Sequence, residues 1–202
     1  MLAAVKEGDA RKLAELIRQD PGFDVNMALD GIGSTLLHHA CNGNSRSAVI
    51  PLLLAHPDID VNVKDQGGCT PFYWACRYGR PSCVREMLKD SRVNVNESDN
   101  DGFTPLWIAS CYGSLDIIKW WISSGREMDL GKPGDGKTDA IGEAEFWGWT
   151  EVVTLLERFK SDATKTRSEV RKELGINGQY YYYYYDDYFP FQFQFFHDLS
   201  RH

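Results

Sequence analysis

The amino-acid sequence predicts an all-α solenoid, a stack of helix–turn–helix units joined by tight turns, with an irregular C-terminal tail. Three observations carry that expectation. An alanine recurs at Ala4, Ala40, Ala75, Ala109 and Ala144, at spacings of 34 to 36 residues, and periods of this length mark stacked arrays. Four places after each stands a turn former: Gly8, Asn44, Gly79, Gly113 or Gly148. An aliphatic column then follows at Leu13, Val49, Val84, Ile118 and Val153, with Leu16, Leu52, Met87, Trp121 and Leu156 three places beyond. A single unit cannot bury the apolar stripe of either helix, but stacking buries both.

Residues 1–28 form a partial first unit, lacking its turn and the start of its first helix. Leu13, Leu16 and Ile17 give its second helix an inward stripe. Residues 29–64 open on Asp30-Gly-Ile-Gly33-Ser-Thr35, where Thr35 caps a helix and leucine stands in the place that proline takes later. Here the mid-unit turn falls on Asn44, the residue type that best tolerates a left-handed backbone after glycine. Pro51 conflicts with the second helix, because it removes a hydrogen bond and should kink or shorten it. Residues 65–98 repeat the opening as Asp65-Gln-Gly-Gly68-Cys-Thr70-Pro71, and Pro81 falls harmlessly in a first helical turn.

Residues 99–131 are the clearest unit. Asp99, Asn100, Asp101 and Gly102 form a turn, and Thr104-Pro105 starts a helix with Leu106, Ile108 and Ala109 on its apolar face. Gly113 ends that helix. Ile117, Ile118, Trp121 and Ile122 line the next, and Gly125 closes it. Residues 132–163 are a degenerate capping unit with one extra residue before Ala144. Residues 164–176 read as a charged helix with Val170 and Leu174 on one face and Gly175 as its stop. The tail, 177–202, holds an unbroken tyrosine run from Tyr180 to Tyr185 and the alternation Phe191-Gln-Phe-Gln-Phe195. Such bias suits an unstructured segment, or else a strand pair that assembles chains.

T-P-L-x-x-A, a following glycine, a V-x-x-L-L helix and a closing V-N resemble the ankyrin repeat. The closure stands at Val25-Asn26, Val61-Asn62 and Val95-Asn96, and the resemblance covers about residues 1–160. It implies an ankyrin-repeat solenoid with a concave groove lined by turn tips and the exposed ends of the first helices. The position that the family fills with histidine is His38 in one copy but Tyr73 and Trp107 in two others. The resemblance makes His38 structural. Asn62 and Asn96 each lie eight residues after a leucine, Leu54 and Leu88. That spacing is similar to the pattern favoured by the asparagine hydroxylase that acts on ankyrin repeats, whereas Asn26 has Arg18 at that place.

Composition excludes several classes of function. The net charge of −7 opposes nucleic-acid or acidic-membrane binding through bulk electrostatics, and no apolar run is long enough to span a bilayer. Five cysteines, an odd number without C-x-x-C, indicate neither a disulfide framework nor a zinc site. Reduced thiols fit an intracellular protein, cytoplasmic or nuclear. Gly131-Lys-Pro-Gly-Asp-Gly136-Lys137-Thr138 matches the phosphate-binding P-loop letter for letter, which makes nucleotide binding the alternative function. That motif needs a buried strand before it, and Gly125 to Leu130 does not read as one. The repeat register also assigns Gly136 and Thr138 to the columns of Gly68 and Thr70. His38-His39 lacks partners at metal-ligand spacing, and no nucleophile–base arrangement emerges, so neither catalysis nor a cofactor is expected.

Surface recognition remains. The residue before each mid-unit turn former falls in one column: Glu7, Gly43, Tyr78, Tyr112 and Trp147. Neighbouring members should stand about 10 Å apart, the packing distance of helices. The expected partner-binding set is therefore the ladder Tyr78, Tyr112 and Trp147. Arg77, Phe103 and Phe146 extend it, and Gln66, Asn100 and Asp101 form its rim. Trp74, Ile108 and Trp121 are assigned to the core. The expected activity is non-enzymatic binding of another protein, with no small-molecule substrate, nucleic acid or membrane.

Overall fold

A computed structural model describes residues 1–131 and 138–176. The helices are α1 (Leu2–Glu7), α2 (Ala10–Gln19), α3 (Leu36–Cys41), α4 (Ile50–Leu54), α5 (Pro71–Arg77) and α6 (Pro81–Leu88). They continue as α7 (Pro105–Cys111), α8 (Leu115–Ser124), α9 (Ala140–Phe146), α10 (Thr150–Ser161) and α11 (Ala163–Glu173). No strand occurs among the described residues. The first helices α1, α3, α5, α7 and α9 pack side by side in one layer. The second helices form the other layer, and α11 lies against α8 and α10.

The core runs unbroken between the layers, as the alanine and aliphatic columns require. Ala4, Ala40, Ala75, Ala109 and Ala144 are each fully buried, letting neighbouring first helices approach. Trp121 is fully buried as well, its ring edge-on to Phe72 at 5.1 Å. Trp74 and Ile108 are also core residues. Leu16, Leu52 and Val153 are only half-buried, whereas Met87, Trp121 and Leu156 in the column of the first two and Leu13, Val49, Val84 and Ile118 in that of the third are fully buried.

Helix starts follow the cap chemistry. Thr70 Oγ1 accepts from the Tyr73 N–H at 3.2 Å and Thr104 Oγ1 from the Trp107 N–H at 3.2 Å. In the last repeat Asp139, not Thr138, takes this role, accepting from the Gly142 N–H at 2.9 Å. The extra residue is therefore absorbed before the cap, and Thr138 falls in the column of Cys69 and Phe103. This corrects the register that placed Gly136 and Thr138 in the columns of Gly68 and Thr70.

Repeat two departs at two points. Asn44 does not take the left-handed turn; it opens a 3-10 segment, Asn44–Val49, preceded by Gly43 in extended backbone. Its side-chain oxygen instead accepts the Ser82 N–H at 3.3 Å, in the first turn of α6. The 3-10 segment feeds α4, with Pro51 in the first helical turn, so the proline shortens the helix rather than kinking it.

Two ladders tie each repeat to the next. Asn26 Nδ2 donates to Asp58 O at 2.7 Å, while its Oδ1 accepts the Asp60 N–H at 2.9 Å. Asn62 spans Arg92 O and Asn94 N in the same way, and Asn96 spans Glu127 O and Asp129 N. Arginines reach in the opposite direction. Arg92 donates to Leu54 O at 2.5 Å and Arg126 to Asp90 O at 2.9 Å, satisfying carbonyls at the ends of second helices. For α8 that service comes from α11, whose Arg167 and Arg171 reach Ile122 O and Ser123 O at 3.2 and 2.8 Å. Val170 is the fully buried anchor of α11, Leu174 is half-buried, and Gly175 (φ 69°) stops the helix.

Candidate protein-binding face

The column corresponding to the family histidine shows how the stack holds its turns. His38 Nδ1 accepts the Thr35 N–H at 3.2 Å, so the ring proton sits on Nε2, which donates to Cys69 O at 3.0 Å. Tyr73 instead donates its hydroxyl to Asp99 Oδ2 at 2.6 Å, and Trp107 its Nε1–H to Thr138 O at 3.1 Å. Three different side chains thus send one donor each to the next turn. Burial holds the His38 pKa below the ordinary histidine value, as a ring locked in this neutral tautomer requires.

His39 does not form a catalytic triad with Ser34 and Asp30. Its Nε2 lies 3.0 Å from Ser34 Oγ and 3.5 Å from Asp30 Oδ2, so hydroxyl and carboxylate meet one ring nitrogen, and Ser34 also donates to Asp30. A triad needs the carboxylate on the other nitrogen. No group of three or more metal-ligating side chains occurs among the described residues. The cysteines are all free, and burial pushes the Cys76 and Cys83 thiols up, Cys83 to about 11. A cavity of about 270 Å³ lies beside Leu115, Thr150 and Glu173. Its cations Lys119 and Arg158 are paired with Glu173 and Glu169 at 3.0 and 2.5 Å.

The P-loop match falls largely on residues 132–137, which lie outside the described residues. Its flanks are visible. Residues 126–130 are irregular rather than strand. The first turn of α9 already holds the Asp139 carboxylate, where a P-loop helix would present free N–H groups to phosphate. Thr138 donates its hydroxyl to Glu143 at 3.2 Å.

Tyr78, Tyr112 and Trp147 cap α5, α7 and α9 in one backbone conformation, with φ of −89°, −94° and −87°. They are 40%, 54% and 55% exposed, and Phe146 beside them is 77% exposed. Arg77, Gln66, Asn100 and Asp101 are exposed as well. Phe103 is half-buried and leans on Trp107 at 4.2 Å between centroids, so it belongs partly to the core. The turn tips are bonded in series: the Gln66 N–H donates to Ile32 O and the Asn100 N–H to Gly67 O, both at 2.9 Å. Gly68 allows this approach, since a Cβ there would fall 2.3 Å from Asn100 Oδ1.

Trp149 joins the face from outside the column of Tyr78, Tyr112 and Trp147. It precedes α10, is 43% exposed, and donates Nε1–H to Cys111 O at 3.0 Å. Its ring lies over Gly113, where a Cβ would come within 2.4 Å of it. The signal lay one residue past the mid-repeat glycine, where Arg80 reaches Asn42 O at 2.9 Å in repeat three. Glu143 adds charge: its carboxylate accepts Trp147 Nε1–H at 2.9 Å.

A family model for ankyrin repeats (three copies) matches residues 1–97 and 50–133. The SMC5-SMC6 complex localization factor protein 1 of Bos taurus is 51% identical over 57 residues, 28% of this chain and 5% of that protein. The Homo sapiens protein of the same name is also 51% identical over 57 residues, with the same coverage. Rabankyrin-5 of Mus musculus is 40% identical over 68 residues, 34% of this chain and 6% of that protein. The chain thus spans only a small part of the length of each of these relatives.

Proposed function

The chain belongs to the ankyrin-repeat family, and on that premise we propose that it is a non-enzymatic interaction module. It binds another protein across the face carrying Tyr78, Tyr112, Phe146, Trp147 and Trp149, with Arg77, Gln66, Asn100 and Asp101 at its edge. One observation carries this reading. Of the seven exposed large apolar side chains among the described residues, these five stand at the turns between paired helices of three consecutive repeats. Grouped exposed apolar side chains mark interaction sites, and Tyr and Trp dominate binding hot spots. Reduced thiols fit an intracellular setting, in cytoplasm or nucleus. Among the described residues, no helix is long and apolar enough to cross a membrane.

Affinity capture with the full chain and with a Tyr112→Ala/Trp147→Ala variant tests the proposal. A partner held by the first and lost by the second supports it; retention by both places the site elsewhere.

Asn62 and Asn96 are the proposed modification sites, favoured over Asn26 by the leucine eight residues upstream. All three are half-buried and bridge adjacent loops, so a hydroxylase must act on an opened repeat. Mass spectrometry of the protein incubated with such an enzyme should find Asn62 and Asn96 modified before Asn26.

A further inference from the structure

In its last two repeats the aromatic face carries charge of one sign, whereas Arg77 and Arg80 stand beside Tyr78 in the repeat before. Residues 99–118 contain Asp99, Asp101 and Asp116 and no lysine or arginine. Residues 138–157 contain Asp139, Glu143, Glu145, Glu151 and Glu157, again with no lysine or arginine. These stretches build α7, α9 and the turns that hold Tyr112, Phe146 and Trp147, and also parts of α8 and α10, which carry Asp116, Glu151 and Glu157. The described cations between them are engaged elsewhere. Lys119 pairs with Glu173 at 3.0 Å, and Arg126 donates to Asp90 O and Val93 O at 2.9 and 2.5 Å. Lys132 and Lys137 lie outside the described residues. Folded domains usually intersperse both signs over their surface, and the opposite end of this stack does so with Lys6, Glu7, Lys12 and Glu15.

We propose that this face binds a lysine- and arginine-rich segment of another protein, in extended form. The inference rests on the protein-binding reading above and adds the chemistry of the partner. Carboxylates and ring faces attract the same ligand: a cation is drawn to Glu143 and Glu145 by charge and to Tyr112 and Trp147 by their ring quadrupoles. The aliphatic stems of lysine and arginine cover exposed ring surface while their heads stay solvated. Spacing adds selectivity. Rings one repeat apart stand about 10 Å from each other, and an extended chain advances about 3.3 Å per residue. Every third residue of the partner therefore meets a successive ring. The chain's net charge of −7 steers such a segment toward it.

The test uses the full chain and fluorescence polarisation with three labelled 12-residue peptides. One has lysine at every third position among serines, one has glutamate in those places, and one is all serine. The lysine peptide binds, at least tenfold more tightly than the other two. Glu145→Lys and Trp147→Ala each weaken it at least tenfold, while Glu15→Lys, the same charge change on exposed α2, weakens it less than twofold. Circular dichroism confirms that each variant is folded. Equal loss with Glu145→Lys and Glu15→Lys overturns the proposal, because bulk charge then explains the binding. Failure of the folded chain to bind the lysine peptide also overturns it. Tighter, Trp147-dependent binding of the serine or glutamate peptide overturns the cation preference but leaves the protein-binding reading standing. That reading fails separately if the natural partner is retained by the Tyr112→Ala/Trp147→Ala variant.

Discussion

Among single side chains, Tyr112 and Trp121 give the sharpest contrast. Tyr112 is 54% exposed and Trp121 fully buried, although both belong to the same repeat. In a denaturant melt, Tyr112→Ala should cost within about 1 kcal/mol, as surface changes do. Trp121→Ala should cost about 3–5 kcal/mol through the cavity it leaves against Phe72. The histidines set the response to acid. Burial lowers the pKa of His38, His39 and His56 below 6.5 in the fold. The unfolded chain therefore binds protons that the fold resists. Their contribution to stability is whole above pH 6.5 and is lost as pH falls through the folded values. Melts from pH 8 to 5 should show stability falling below pH 6.5, with a shallower fall in His38→Gln. The column of His38, Tyr73 and Trp107 was legible in the sequence as a position, but its chemistry was not, because each donor finds a different acceptor in the next turn.

At the scale of elements, the turn between α7 and α8 leaves little room for change. Gly113 combines a φ of +61° with the Trp149 ring pressed against its open side. Gly113→Ala should therefore destabilise by at least about 1–2 kcal/mol from backbone conformation alone, and it should shift Trp149 fluorescence as the ring is displaced. Gly148→Ala is the comparison, since its φ is +76° but nothing lies within 4 Å of its Cβ position. The difference between the two melts isolates the clash. Helix existence was readable from the alanine and glycine columns because those residues act locally. Repeat two resisted such reading at Asn44, where its amide serves α6 across the repeat boundary. The extra residue before Ala144 likewise misplaced the register, which put Thr138 in the column of Thr70, where Asp139 holds the cap. The proposed binding face follows a column of cap positions, and Trp149 escaped that column because its contact depends on a carbonyl 38 residues away.

Across the whole molecule, stability should be graded along the stack. Among the described residues, middle repeats have a neighbour on both sides, whereas α1 and α2 are supported from one side only. Amide exchange should then be slowest in α5 to α8 and faster in α1 and α2, opening in blocks of one repeat. The α11 helix guards the other end. Arg171→Ala removes the charged donor to Ser123 O, a loss of about 1.5 kcal/mol by typical values for such bonds, and should speed exchange in the last turn of α8. Uniform exchange along the chain would contradict a stack held by nearest neighbours.

Both inter-repeat ladders are written on one side only. Asn26, Asn62 and Asn96, like Arg80, Arg92 and Arg126, supply side chains, whereas the groups they grip in the neighbouring repeat are backbone amides and carbonyls. Every residue type offers the carbonyl and every one but proline the N–H, so a repeat need not match the sequence of its neighbour to dock on it. Tyr73–Asp99 and Lys64–Glu97 are departures, each a pairing between side chains. Units of this kind can be duplicated, deleted or exchanged as cassettes without a compensating change next door. The proposed recognition surface can then diverge at Tyr78, Tyr112 and Trp147 while the joints that carry it stay interchangeable.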